Sequence, residues 1–243
     1  MAANPELPLS CEEIERLNEQ FEDASPEQIL GWAVTTFPED SVLTCSFQHE
    51  GVILAHMLRT LKADVPVVFI NTRFHFEETL RYRDTIVKLL DLDLREIQAE
   101  LPFEEFKKDY GTDLYAKDPD LCCRINKVDP LKKALEGVKA WINGRRRNQT
   151  ADRRHLSHVE LSGSIIKINP LASWNSKDSY RYLHAHSIPL HPLFEKGYSS
   201  IGCESCTSLP VPGMDERSGR WAGSAKRECG IHTILDNAQE PTD

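Results

Sequence analysis

Ser10 is followed three residues later by Glu13, and Ile14, Leu17 and Phe21 then recur at helical spacing, which predicts a capped amphipathic helix. Ser25-Pro26 opens a second helix, with Ile29, Leu30, Ala33 and Val34 along one face. From residue 41 short apolar runs alternate with helix-period segments. Strands are predicted at 41–45, 65–70, 94–97, 138–142 and 165–168. Helices are predicted at 51–61, 76–90, 103–110 and 176–186, with another from about 120 to about 135 that bends near Pro130. This alternation implies right-handed crossovers and an α/β fold, a mostly parallel twisted sheet with helices on both faces. Ligands in such folds sit beyond the carboxyl ends of the strands. After Pro189 the periodicity fades, and Pro210, Pro212, Gly213, Gly219, Gly223 and Gly230 punctuate the remaining segment. The chain therefore divides into N-terminal helices packing on the core (1–38), an α/β domain (39–206) and a flexible, lid-like C-terminal tail (207–243).

Composition narrows the class. A chain of 243 residues with 28% charged and 40% hydrophobic positions is ordinary for a globular protein and long enough for one core. No run approaches the ~20 apolar residues of a membrane span, so no membrane is expected. The acidic N-terminus lacks a signal pattern. A net charge of −9 argues against nucleic acid as a partner, although a local basic patch can still grip phosphates. Seven cysteines, an odd number, disfavour a disulfide framework and favour metal-binding or catalytic thiols. The expectation is a cytoplasmic enzyme with cysteine chemistry; a homo-oligomer is left open.

Cys203 and Cys206 form a Cys-x-x-Cys pair, a spacing shared by zinc sites, iron–sulfur sites and redox dithiols. Cys122 and Cys123 are adjacent, and on a helix they point about 100° apart. Both can serve one centre only if that centre is large or the helix distorts. A four-iron cluster offers each thiolate its own iron, which favours iron–sulfur over zinc and over a pair of small core residues. Cys229 stands apart, flanked by Lys226, Arg227 and His232, a setting that favours thiolate and marks a nucleophile. Cys11 and Cys45 have no such context, and Cys45 ends an apolar strand.

The motifs Cys-Cys-Arg-Ile-Asn-Lys (122–127), Tyr-Ser-Ser-Ile-Gly-Cys-Glu-Ser-Cys-Thr (198–207), Arg-Ser-Gly-Arg-Trp (217–221) and Glu-Cys-Gly-Ile-His (228–232) occur in this order. Together they resemble the assimilatory sulfonucleotide reductases, specifically the iron–sulfur adenylylsulfate (APS) reductases, over residues 30–233. The resemblance implies a fold similar to the adenine-nucleotide alpha hydrolases and ATP pyrophosphatases, with the α/β domain binding nucleotide and cluster.

It also implies residue roles. Ser46, Phe47 and Gln48 occupy the nucleotide loop, where ATP-cleaving relatives carry glycines. Arg146 and Arg147 match the family's Gly-x-Arg-Arg-x-Gln at 144–149, and Lys127 matches its lysine. Arg217, Arg220 and His232 resemble tail residues that close over sulfate and phosphate. Cys122, Cys123, Cys203 and Cys206 would hold a [4Fe-4S] cluster. Cys229 would attack the sulfur of APS, expelling AMP, and a reduced thioredoxin or glutaredoxin-like protein would then release sulfite for cysteine biosynthesis. Cationic groups, His232 among them, would offset the repulsion between the two anions. The alternative is a PAPS reductase or a dual APS/PAPS reductase; a cluster-containing tRNA-thiolating ATP-pyrophosphatase relative is remoter. Two stretches depart from the family pattern and bear on nucleotide contacts. Asn71-Thr72-Arg73 stands where many members read Asp-Thr-Gly, and Asn148 and Thr150 replace an aspartate and a serine.

Overall fold

The computed structural model describes residues 8–224 and 226–232; the expectation of a tail reaching 243 extends, in its last part, outside the described residues. Both N-terminal helices form with full capping boxes: α1 (Cys11–Phe21) with Ser10 and Glu13, α2 (Pro26–Thr36) with Ser25 and Gln28. The sheet comprises β1 (Ser41–Thr44), β2 (Val67–Ile70), β3 (Leu94–Ile97), β4 (Ala140–Ile142), β5 (Val159–Ser162) and β6 (Ile165–Ile168). Its order is β3-β2-β1-β4-β6-β5, parallel throughout except for the antiparallel edge strand β5.

Strand period assigns the two faces. Leu43, Val67, Phe69, Ile142, Ile166 and Ile168 pack with α2, α3 (His49–Thr60), α4 (Glu77–Leu90) and α9 (Ser176–Ala185). Their neighbours Val42, Val68, Trp141 and Ile165 point the other way, onto Leu131 of α8 (Asp129–Ala134). Lys167 falls on this second face by alternation and is buried there. A smaller cluster around Phe106 and Leu114 joins α5 (Phe103–Tyr110) and α6 (Leu114–Lys117) to Cys122.

Two features differ from the sequence-based expectation. β5 is an additional strand: Val159–Ser162, Gly163 and Ile165–Ile168 form a hairpin whose glycine takes a positive φ of 60°. The long helix expected from 120 to 135 is composite: α7 (Pro119–Cys123), a π-helical turn (Arg124–Val128), then α8, with Pro130 in its first turn. The described part of the tail is packed onto the body. Within the tail Ser208 N–H donates to Gly219 O at 2.8 Å; Trp221 N–H reaches Cys206 O of the body at 3.0 Å, and Arg220 and Trp221 are buried.

Candidate functional site

The chain runs outward from β1 to β3 and then returns to place β4 on β1's other side, so the strand order reverses between β1 and β4. Outside the carboxyl ends of these strands lies a cleft of about 990 Å³. The loop after β4 touches the first turn of α3: a Cβ on Gly144 would lie 2.6 Å from Glu50 Cβ, so only glycine permits the approach. Ser46 is exposed in the cleft and accepts from Gln48 Nε2 at 3.1 Å, while Gln48 Oε1 accepts from Ile201 N–H at 2.8 Å. Phe47 corrects the expectation that the three share one role. Its φ of +55° turns the ring into the core, edge-on to Phe69 at 5.6 Å, and its side chain does not line the cleft.

Six cations line the wall nearest the tail: Lys127, Arg145, Arg146, Arg153, Arg217 and Arg220. Arg146 is buried, paired through Nε with Glu50 at 2.9 Å and through Nη2 with Glu216 at 2.7 Å; its Nη1 has no partner among the described residues. Arg145 pairs with Glu160, and Arg153 and Arg217 both pair with Glu228. Lys127 and Arg220 have no carboxylate partner among the described residues. They provide the cationic surplus that an incoming anion meets. Arg147 is a second correction: it turns from the cleft to pair with Glu22 and donates from Nε to Leu156 O at 2.8 Å.

Arg220 reaches its place beneath Gly202, packed on the Trp221 ring 4.7 Å from its centroid. Burial pulls its guanidinium below the ordinary arginine value, and Arg217 adds to the effect. Burial also works against the Lys127 ammonium, but the thiols of Cys203, Cys229 and Cys123 outweigh it and hold the lysine above its usual value. His232 corrects a further expectation. Its ring stacks on Trp141 at 5.4 Å, and its carbonyl accepts from Lys167 Nζ at 2.5 Å. Burial, then Arg145 and Arg153, hold its ring well below the usual histidine range, and its Nδ1 has no partner among the described residues. His75 is neutral, pushed down to about 4 chiefly by burial; its Nε2 is bonded to Ile70 O at 2.9 Å.

The four paired cysteines meet around one small cavity beside the cleft. Cys122 and Cys123 close α7 in ordinary helical geometry, and the π turn follows them directly. Buried Asn126 returns its side-chain amide to Cys122 O at 3.0 Å, satisfying a carbonyl where the ladder shifts. Cys203 is pinned to the segment after β2 by a bridge to His75, with Glu204 N–H donating to Phe74 O at 2.7 Å. Thr72 Oγ1 lies 3.3 Å from Cys203 Sγ. Burial raises Cys122 to about 12 and Cys123 to about 11. At Cys203 burial is outweighed by Lys127, Thr72 and Arg220, and the thiol is lowered. Lys127 and Cys203 line both the cysteine cavity and the cleft, joining the two.

Cys229 lines the cleft and is partly exposed. Its electropositive neighbours are not its sequence neighbours. Lys226 turns away to Asp120 and the Trp221 ring, and Arg227 is exposed, whereas Lys127 and Arg220 lie within electrostatic reach of the thiol. Cys45 is the buried core thiol expected, pushed up to about 12 by burial. Arg73, in the left-handed region at φ 65°, sends its guanidinium away from the cleft to the carbonyls of Ala99 and Leu101 at 2.7 and 2.9 Å. Sequence reasoning missed Arg153, Glu216 and Glu228. Glu228 could have been marked by its adjacency to Cys229, but Arg153 carries no signal until the chain folds back.

Residues 40–209 match the phosphoadenosine phosphosulfate reductase domain family. An adenosine 5'-phosphosulfate reductase of Bacillus cereus is 40% identical over 225 residues, covering 91% of this chain and 96% of the relative. One from Chelativorans is 40% identical, with 96% of each chain covered. Among solved structures, the phosphoadenylyl-sulfate (PAPS) reductase of Candida auris, a phosphate complex, superposes with a TM-score of 0.73 at 33% identity, covering 81% of this chain and 96% of that one. An FMN adenylyltransferase of Candida glabrata shares the fold alone, with a TM-score of 0.56 at 17% identity, over 87% of this chain and 70% of that one. The adenine-nucleotide hydrolase-like sheet is therefore the expected one, and the chain belongs to the phosphoadenosine phosphosulfate reductase domain family.

Proposed function

We propose that this enzyme reduces APS to sulfite and AMP, with Cys229 as nucleophile. The observation that carries this reading is the convergence of Cys229, Lys127 and Arg220 on one cleft at the strand-order switch. A thiolate attacking a sulfonate is an anion approaching an anion, so the chemistry needs positive charge at that point. The Cys229 sulfur bonds to the sulfonyl sulfur, and the sulfur–oxygen bond to the phosphate breaks. AMP leaves with the electron pair, and the sulfonate remains on Cys229. A dithiol protein of the thioredoxin or glutaredoxin class then attacks Cys229 Sγ and expels sulfite. Its second thiol resolves the mixed disulfide and regenerates the Cys229 thiolate. Arg146 and the α3 terminus hold the phosphate end, Arg217 and Arg220 the sulfonate end, and neutral His232 directs a hydrogen bond between them.

Cys122, Cys123, Cys203 and Cys206 fit a [4Fe-4S] cluster. The donor set is all sulfur and lines a single cavity. When bound, such a cluster supplies a polarisable, negatively charged centre beside Lys127. Lys127 itself holds the ammonium between the thiolates and the substrate's sulfonate. APS is preferred over PAPS because the relatives covering nearly all of this chain are named APS reductases.

The test is to mix enzyme with APS, and separately with PAPS, without any thiol donor. One AMP per active site and a sulfonate adduct mapped to Cys229 are expected from APS. Cys229→Ser should bind APS and release neither AMP nor, with thioredoxin, sulfite. Sulfite production by the serine variant would falsify the assignment.

A further inference from the structure

Glu228 immediately precedes Cys229, and two arginines from distant parts of the chain share its carboxylate. Arg153 ends a 3-10 turn (Ala151–Arg153) in the connection after β4. It donates from Nε to Oε1 at 2.8 Å and from Nη2 to Oε2 at 2.9 Å. Arg217, from the tail, donates to the same Oε2 at 3.1 Å. A forked guanidinium fixes a carboxylate in direction as well as position. Arg153 is itself anchored, since its Nη1 donates to Gln149 Oε1, which also accepts from the Arg146 N–H at 3.1 Å. One run of hydrogen bonds therefore leads from the Arg146 backbone beyond β4, through Gln149 and Arg153, to the residue bonded to Cys229.

The burial is unequal. The Arg153 and Arg217 side chains are only 11% and 13% exposed, against 33% for Glu228. Burial and the Arg217 charge together pull Arg153 down to about 10, so the two guanidiniums are poorly solvated neighbours that repel each other. Removing the carboxylate would leave both uncompensated.

We propose that Glu228 is a positioning residue: its carboxylate, clamped by Arg153 and Arg217, sets the Cys229 thiol at the mouth of the anion cleft. This rests on the reading of Cys229 as nucleophile. Because the chain on the other side of Cys229 is fixed through the His232 carbonyl and ring, the thiol is suspended between two anchors. Neither anchor depends on the nucleophile itself. Glu228 acts through Cys229 and does not need to touch the substrate.

The experiment compares wild type with Glu228→Gln, which keeps size and loses charge. Three readouts are taken: equilibrium binding of AMP, single-turnover AMP release from APS, and amide hydrogen exchange of the peptide carrying residues 226–232. Expected are AMP binding within twofold of wild type, AMP release at least tenfold slower, and exchange at least tenfold faster. If the glutamine variant does not fold, Glu228→Gln combined with Arg153→Met removes the charges as a pair and should give the same slow release and fast exchange. Tighter AMP binding with unchanged release would overturn the proposal in favour of a carboxylate that competes with the substrate's anion. Unchanged exchange would overturn it in favour of a surface ion pair. Should wild type itself release no AMP, the reading of Cys229 as nucleophile fails, while the exchange measurement still decides whether Glu228 anchors this segment.

Discussion

Gly202 and Arg220 are packed so closely that a Cβ on the glycine would lie 2.0 Å from the arginine Nη2. The left-handed backbone region does not include Gly202, so proximity alone favours glycine: an added Cβ would force the end of the Arg220 side chain to move. The glycine leaves room for a buried guanidinium to pass beneath the Cys-x-x-Cys loop and emerge at the cleft. Gly202→Ala should displace Arg220 and cost about 1–3 kcal/mol of stability by overpacking. Its kcat/KM for APS should fall at least tenfold, about 1.4 kcal/mol of transition-state stabilisation. Steady-state kinetics beside Arg220→Ala checks this; a fully active alanine variant would show that Arg220 does not need its present position.

Lys127 lines both cavities, so its removal separates two roles. Lys127→Met keeps the aliphatic stem and deletes the charge. Turnover of APS should drop roughly a hundredfold, as for loss of a preorganised charge at the reacting group. Iron content measured on the same preparation should stay close to wild type, because a lysine is not a ligand. Parallel loss of iron and activity would mean that Lys127 serves the cysteine cavity alone.

Anaerobically purified protein should be brown and carry about four irons per chain, as one four-iron cluster requires. Cys122→Ser and Cys206→Ser should lose that iron, and Cys229→Ser should keep it. Stoichiometric zinc without visible absorption would sink the iron–sulfur reading.

Acid should destabilise the fold before its carboxylates titrate. His191 accepts the Leu193 N–H at Nδ1 (3.2 Å) and reaches Thr79 Oγ1 from Nε2 at 3.0 Å, so it is neutral with its proton on Nε2. Burial, reinforced by nearby His49, pushes it down to about 4. Burial, with Arg146 second, does the same to His49. The unfolded chain protonates these rings near 6.5 while the native state does not. Their contribution is therefore constant above that pH, and stability falls as pH drops from about 6.5 towards 4. His191→Asn retains an acceptor for the helix cap and removes the titration. Urea midpoints between pH 7 and 4.5 should decline less steeply in the variant, by up to about 1.4 kcal/mol per pH unit. Identical slopes would place the acid sensitivity elsewhere.

Hydrophobic period and punctuation carried the architecture, because burial of one face per strand or helix is a local demand written at spacings of two and 3.6. The capping residues Ser10 and Ser25 marked their helices correctly. β5 escapes a sequence reading because four residues of weak alternation, Val159–Ser162, compete poorly with a loop until β6 supplies a partner.

The site divides in the same way. Sequence by itself determined which side chains are able to do chemistry: the two cysteine pairs, the isolated Cys229, Lys127 and the arginine-rich motifs, because thiols and guanidiniums at those spacings have few alternative uses. It did not determine where they point. Adjacent Arg146 and Arg147 look equivalent in sequence, yet one is buried in the cleft and the other is paired with Glu22, just past the end of α1. His232 reads as a cation until burial against Trp141 and four nearby positive groups act on it. The charge beside Cys229 comes from Lys127 and Arg220, not from adjacent Lys226 and Arg227. Orientation, protonation and charge pairing depend on desolvation and on neighbours brought together from across the chain, and only the tertiary structure sets those.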